Sequence, residues 1–261
     1  MINADQVCVV TGAGKGIGRG IAKVLASEGA TVIAASRNEA NLRLTQQSIE
    51  AAGGRAAAMP LDITDRAGVK AFVAKVVADF GRIDVLVNNA GLMPLPVNLV
   101  ESDDQLWDDL FRVNTTGTYN MTKAVLPQMF QQEFGRVINF SSVAAKLTFP
   151  AFVAYAAAKG ALHAFTTALA KEVATHNITV NCVLPGFTRT EEMERIWGTV
   201  ATAAGQTLDE LIDPILDAKV PIKRWLQPEE IGYMVSFLAS RKADGITGQL
   251  LVVDGGLDAH D

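Results

Sequence analysis

Short runs of β-branched residues alternate with longer stretches whose apolar positions recur at helical spacing, and the rhythm holds along almost the whole chain. Val7-Cys8-Val9-Val10 predicts a first strand and residues 17–27 a helix. The pattern continues with strands at 31–35, 55–61, 85–87, 137–140, 178–183 and 249–253. Helices are expected at 39–52, 65–80, 103–130, 152–175 and 228–239. Strands rich in Val and Ile without polar alternation suit a parallel sheet covered on both faces. Strand–helix repetition gives right-handed crossovers. The expected fold is α/β: a Rossmann-like, doubly wound parallel sheet of about seven strands with helices on both faces. No linker, repeat or low-complexity tract interrupts residues 1–261, so they read as a single domain.

One segment breaks the rhythm. Residues 187–221 carry charges, Gly and Pro breaks and Trp197 between the sixth strand and the last helix. So long a connection in an α/β unit is expected to be a substrate lid of one or two short helices.

Composition narrows the class of function. Hydrophobic residues make up 49% of the chain, enough for a substantial core, and the formal net charge of −5 disfavours a nucleic-acid partner. No apolar stretch is long enough for a membrane span. The start, Met1-Ile2-Asn3-Ala4-Asp5-Gln6, lacks a basic then apolar leader, so a cytoplasmic protein is expected. Cys8 and Cys182 sit in strand-like runs and read as buried thiols. His163, His176 and His260 show no ligand spacing, so no catalytic metal is expected.

The candidate chemistry begins after the first strand. Thr11-Gly12-Ala13-Gly14-Lys15-Gly16-Ile17-Gly18 joins strand to helix, so its glycines let a diphosphate approach the backbone at a helix N-terminus. At the end of the second strand, where an NAD site carries Asp or Glu, this chain has Ala34-Ala35-Ser36-Arg37. Arg37 can grip a 2′-phosphate bidentately and Lys15 can reach it from the loop, which favours NADP(H), with NAD(H) as the alternative. The competing reading makes both residues solvated surface charges. Asp62, followed by Ile63, ends the third strand and is placed either to accept from an adenine amino group or to cap the next helix. Asn88-Asn89-Ala90-Gly91 ends the fourth strand at the same carboxyl edge.

Tyr155-Ala156-Ala157-Ala158-Lys159 puts a phenol and an ammonium on one helix face. The nearby cation is expected to lower the Tyr155 pKa and make the phenol a proton carrier. Thirteen residues upstream, Ser142 ends Ile138-Asn139-Phe140-Ser141-Ser142, and Asn114 interrupts the 103–130 helix.

With these residues in place, the chain resembles the short-chain dehydrogenase/reductase family along nearly its whole length. Pro185-Gly186 and the terminal Asp254-Gly255-Gly256 belong to the same likeness. The resemblance implies roles by position. Ser142 would orient a substrate carbonyl, and Tyr155 would give or remove its proton. Lys159 would hold the nicotinamide ribose, and Asn114 would keep a water relay. The thirteen-residue spacing selects Ser142 over Ser141. Gly12, Gly14, Lys15, Gly16, Ile17 and Gly18 would bind cofactor together with Ser36, Arg37, Asp62, Ile63, Asn89, Ala90 and Gly91. Pro185, Gly186, Thr188 and Thr190 would hold the nicotinamide, and the family pattern implies the pro-S hydride.

The general likeness is to 3-oxoacyl-carrier-protein reductases and related sugar, polyol and steroid dehydrogenases. Gln131-Gln132-Glu133-Phe134 and His176 stand where a carrier-protein reductase shows basic residues, which argues against an acidic protein partner. Ala144, Phe149, Phe152, Phe187, Met193 and Trp197 point to a mainly apolar cavity for a neutral small carbonyl or hydroxy compound. A 3-oxoacyl substrate on a carrier protein or CoA is the alternative. A non-catalytic NADP(H) sensor would keep the fold, but such proteins typically lose the Tyr–Lys pair. An epimerase or dehydratase would usually need a longer chain. The resemblance also implies a homo-oligomer, a tetramer or a dimer, with Tyr233, Met234, Phe237 and Leu250 to Val253 at a contact.

Overall fold

In the computed structural model, which describes residues 5–259, the runs expected as strands form a seven-stranded sheet. They are β1 (Val7–Thr11), β2 (Thr31–Ser36), β3 (Arg55–Pro60), β4 (Val85–Asn88), β5 (Gly135–Phe140), β6 (Ile178–Pro185) and β7 (Leu250–Val253). The helices are α1 (Gly16–Ser27), α2 (Glu39–Ala51), α3 (Arg66–Phe80), α4 (Asp104–Leu110), α5 (Gly117–Gln132), α6 (Ala144–Leu147), α7 (Val153–Val173), α8 (Glu191–Ala203), α9 (Leu208–Lys219) and α10 (Pro228–Ala239). Of the residues weighed above, Met1, Ile2, Asn3, Ala4 and His260 lie outside the described ones.

Every strand pair is parallel, in the order β3-β2-β1-β4-β5-β6-β7. The chain steps outward from β1 to β3, returns to β4 and steps outward again, so the reversal lies between β1 and β4. Ligands of open parallel sheets bind in the crevice at the carboxyl ends beside such a reversal. Thr11 holds that edge closed: its hydroxyl donates to the Val87 carbonyl (3.1 Å) and accepts from the amides of Asn89 and Ala90 (3.1 Å each).

Successive strand residues point to opposite faces, and each face has its own core. Cys8, Val10, Val32, Val85 and Ile138 pack under α1 and α10 through Ile21, Leu25, Ile231 and Val235. Val7, Val9, Ile33, Leu86 and Val137 pack under α3, α5 and α7 through Phe72, Met121, Val125 and Val173. The Val/Ile runs show no alternation because both faces are covered. Cys8 and Cys182 are buried and unbridged, and burial pushes the Cys182 thiol up to about 11.

Two corrections concern the helices. The helix expected over 103–130 with an interruption at Asn114 is three pieces, the interruption being a π turn at Phe111–Thr116 between α4 and α5. Asn114 lies in that turn, and its side chain bonds backbone outside the helix, which competes with regular winding. The other correction is α6, a single turn too short for any periodicity to announce. The 187–221 segment contains α8 and α9, and its ends are stitched together. Leu226 donates to the Phe187 carbonyl (2.8 Å), and Arg189 donates to the Leu226 carbonyl (2.9 Å). Among the described residues no helix is long and apolar enough to cross a membrane, and no cluster of His, Cys, Asp or Glu could hold a metal ion.

The close approach of α1 and α10 requires a missing side chain. A Cβ on Gly20 would lie 2.5 Å from Pro228 Cβ and 2.7 Å from its carbonyl carbon. Gly198, inside α8, has nothing within 4 Å of the same position. Gly20→Ala should destabilise the protein by about 1–3 kcal/mol despite Ala's better helix propensity. Gly198→Ala should stabilise it by about 0.5–1 kcal/mol. Denaturant unfolding of the two variants checks the pair, and a gain from Gly20→Ala would contradict this packing.

Candidate active site

The carboxyl edge opens into a cleft of about 980 Å³ that runs from the glycine loop to α8. Every residue expected to touch the cofactor lines it, as do Ser142, Phe149, Phe152, Met193 and Trp197. Asn114 does not. It is fully buried behind Gly91, with its carbonyl oxygen accepting from Leu92 N (2.7 Å) and its amide donating to Leu92 O (2.9 Å). A Cβ on Gly91 would sit 3.0 Å from Asn114 Oδ1 and 3.2 Å from Lys159 Nζ, so the glycine leaves these groups their room. The Asn114 side chain is committed to Leu92 and fixes the chain after β4.

Lys159 joins α7 to the end of β5 twice. Its Nζ donates to the Phe140 carbonyl at 2.7 Å, and its own carbonyl accepts from the Ser141 hydroxyl at 2.9 Å. Burial lowers the Lys159 pKa to about 8, so the ammonium is marginal just above neutrality. The Ser141 hydroxyl is turned into α7, where it also meets His163 Nε2 at 2.8 Å. The hydroxyl's one proton is used on Lys159, so the imidazole is the donor to Ser141. Both serines line the cleft, but the Ser142 hydroxyl is the one not bonded to α7, and its Oγ accepts from Ala144 N at 3.2 Å.

The Tyr155 pKa shifts in the direction opposite to the one expected. Burial raises the pKa above that of an ordinary phenol, the Ser142 hydroxyl opposes this, and Lys159 plays no resolved part. The ammonium is instead spent on Phe140. Tyr155 packs edge-on against Phe152, with centroids 6.4 Å apart, and Phe152 in turn faces Trp197 at 6.3 Å.

At the other end the cleft is shaped for a phosphorylated dinucleotide. A Cβ on Gly14 would lie 2.9 Å from Ser36 Oγ, so only a bare backbone fits between the loop and the end of β2. The first amides of α1 open there, beside Arg37, which is exposed and makes no hydrogen bond or ion pair among the described residues. The chain therefore offers a cation and the amides of a helix start, of which that of Gly16 is bonded to Glu191 (2.9 Å), where a dinucleotide bearing an extra phosphate needs them. Partial burial pushes the Asp62 carboxyl upward. Hydrogen bonds from Thr64 N (2.9 Å) and Thr64 Oγ1 (2.8 Å), with Arg37 and Arg112, outweigh it and hold the pKa below its ordinary value. The α3 cap is Asp65, which accepts from Ala67 N at 3.0 Å, so the capping alternative for Asp62 does not hold. Ile63 is held by its carbonyl, which accepts from Asn120 Nδ2 at 3.0 Å.

Beyond β6, Thr188 is buried and its hydroxyl donates to the Gly186 carbonyl (3.1 Å), while Thr190 caps α8 by accepting from Met193 N (3.2 Å). Lys15 is bonded to Glu192 at 2.7 Å rather than facing Arg37. Sequence reasoning missed that contact. It also gave no role to His163, although its i+4 spacing from Lys159 was a usable signal.

Comparison with known proteins agrees with this geometry. A family model described as "Enoyl-(Acyl carrier protein) reductase" matches residues 12–258. The chain is 39% identical over 254 residues to a 3-oxoacyl-[acyl-carrier-protein] reductase of Thermotoga maritima, covering 97% of each. It is 40% identical over 257 residues to a monensin polyketide synthase putative ketoacyl reductase of Streptomyces virginiae, covering 98% of each. A crystal structure of an actinorhodin polyketide ketoreductase with NADPH superposes over 100% of both chains, with a TM-score of 0.93 at 37% identity. The site, the fold and these relatives lead to one conclusion: the chain belongs to the short-chain dehydrogenase/reductase family.

Proposed function

We propose that the protein is an NADP(H)-dependent ketoreductase that interconverts a ketone and an alcohol in the cleft beside β5. The observation that carries this reading is the meeting of Ser142, Tyr155 and Lys159 on one cleft wall with Arg37 at its far end. Bound NADP(H) supplies or accepts the hydride. Ser142 donates a hydrogen bond to the substrate oxygen and fixes the carbonyl in place. Tyr155 delivers the proton to that oxygen during reduction. The buried phenol is protonated at neutral pH, as an ordinary phenol is, and so carries the proton to be given. Lys159 holds the nicotinamide ribose, and Arg37 holds the 2′-phosphate. Closure of α8 over the cleft excludes water, which makes residues 187–221 a lid.

Phe149, Phe152, Met193 and Trp197 give the substrate end an apolar, aromatic wall, suited to a neutral carbonyl compound. A 3-oxoacyl thioester is the second reading, supported by what the relatives above are named for. Against a carrier-protein partner, Glu133 is exposed at the end of α5, and His176 packs at a tilt against Phe130 with centroids 4.7 Å apart. The enzyme is read as cytoplasmic and homo-oligomeric. Exposed Tyr233, Phe237 and Leu250 supply an apolar contact for a second copy.

Tyr155→Phe should reduce ketone turnover at least about 1,000-fold, within the range of lost acid–base catalysis, while NADPH binding stays within about twofold. Steady-state rates and a fluorescence titration check the two halves, and a retained rate would remove Tyr155 from the proton step. Arg37→Asp should cut the preference for NADPH over NADH by about 100-fold in kcat/KM; an unchanged ratio rejects the phosphate pocket. Lys159 also makes a pH prediction. Between pH 8 and 9 the unfolded chain keeps this proton while the native one loses it, so stability rises with pH through this group. Lys159→Met should lose that rise along with its activity. Denaturant unfolding at both pH values measures it, and identical slopes in the two proteins would contradict the depressed pKa.

A further inference from the structure

The lid carries two carboxylates at the N-terminus of α8, and both are bonded to the glycine loop. Glu191 Oε2 accepts from the Gly16 amide at 2.9 Å, and its Oε1 accepts from Arg19 at 2.9 Å. Glu192 pairs with Lys15 at 2.7 Å and with Arg195 at 2.6 Å. The partners matter. Gly16 is the first residue of α1, so its amide is one of the helix's free N-terminal donors, the kind of group a diphosphate seeks. Lys15 is one of the two cations that the sequence assigns to a 2′-phosphate, and Arg37, the other, makes no hydrogen bond or ion pair among the described residues. The lid also sits close: a Cβ on Gly16 would be 3.2 Å from Thr190 Cβ.

We infer that Glu191 and Glu192 are internal stand-ins for the cofactor's phosphates. They bond groups that the nucleotide's phosphates would take, so cofactor binding must exchange them for the nucleotide. The inference rests on the NADP(H) reading above. It assigns the two residues different consequences, because their partners serve different phosphates. The diphosphate is common to both nicotinamide cofactors, so Glu191 weakens NADPH and NADH alike. The 2′-phosphate belongs to NADPH alone, so Glu192 on Lys15 holds down the preference for NADPH. Exchange also frees the start of α8, so loading the cofactor loosens the lid's attachment to α1. The ion pairs are partly exposed, which sets the scale of each effect at a few-fold.

The test is equilibrium binding of NADPH, NADH and adenosine 2′,5′-bisphosphate to the full chain and to Glu191→Gln and Glu192→Gln. The amide side chain preserves shape and removes charge. Glu191→Gln should tighten both cofactors about two- to fivefold. Glu192→Gln should tighten NADPH and the bisphosphate by a similar factor and leave NADH unchanged. In the unaltered protein, amide exchange at residues 191–195 should speed up when the bisphosphate binds. Unchanged or weakened NADPH binding in both variants, or slowed exchange in α8, overturns the stand-in role while leaving the cofactor reading intact. Failure of every form to bind any of the three nucleotides overturns the cofactor reading and this inference together.

Discussion

The arrangement of the site depends on one buried cation. Lys159 brings an ammonium to the sheet's carboxyl edge and sets it against the Phe140 carbonyl, while its backbone is gripped by Ser141. These two bonds fix where α7 lies along β5, and so they fix Tyr155, one turn earlier on α7, relative to Ser142 at the strand's end. The cost is visible in the ammonium itself, whose hold on its proton is weakened by the loss of water around it. A polar chain beneath the site shares the burden. Asn88 donates to Thr122 and to Asn139 (2.9 Å each), and Asn139 donates to Thr166 at 2.9 Å. β4, β5, α5 and α7 are thereby locked in register below the cleft. Such a network specifies one geometry because each misplaced member would leave a buried dipole unpaired.

Much of this was legible in the chain alone, and the reason is physical. A parallel sheet covered on both faces leaves uninterrupted Val and Ile runs, so strands such as β1 and β6 announce themselves. The i, i+4 spacing of Tyr155 and Lys159 survives folding because it is a property of one helix. Three things were not legible because they depend on neighbours distant in sequence. The π turn arises from Asn114 bonding Leu92, twenty-two residues away. The role of Lys15 depends on Glu192, which reaches it only after the chain has crossed the sheet several times. The sign of the Tyr155 shift depends on how deeply the phenol is covered and on where the ammonium spends its protons. Proximity on a helix could settle neither.

Ser141 and Ser142 show the same limit from the other side. Adjacent residues at a strand end point opposite ways, so one serine must enter the core and the other the crevice. Spacing within a family selected Ser142. The fold supplies the cause, since Ser141 is engaged by Lys159 and His163. His163 thus braces the strand end from behind, a contribution invisible without the partner it touches.

The stitched ends of the α8–α9 segment have a consequence for how such a protein changes over time. Because Phe187, Arg189 and Leu226 bond across its neck, everything between them hangs from a closed stem that the sheet does not have to support. Chain added to or removed from a loop already closed at its base costs little further entropy. The segment can therefore be exchanged as a cassette while the cleft wall that carries Ser142, Tyr155 and Lys159 stays as it is.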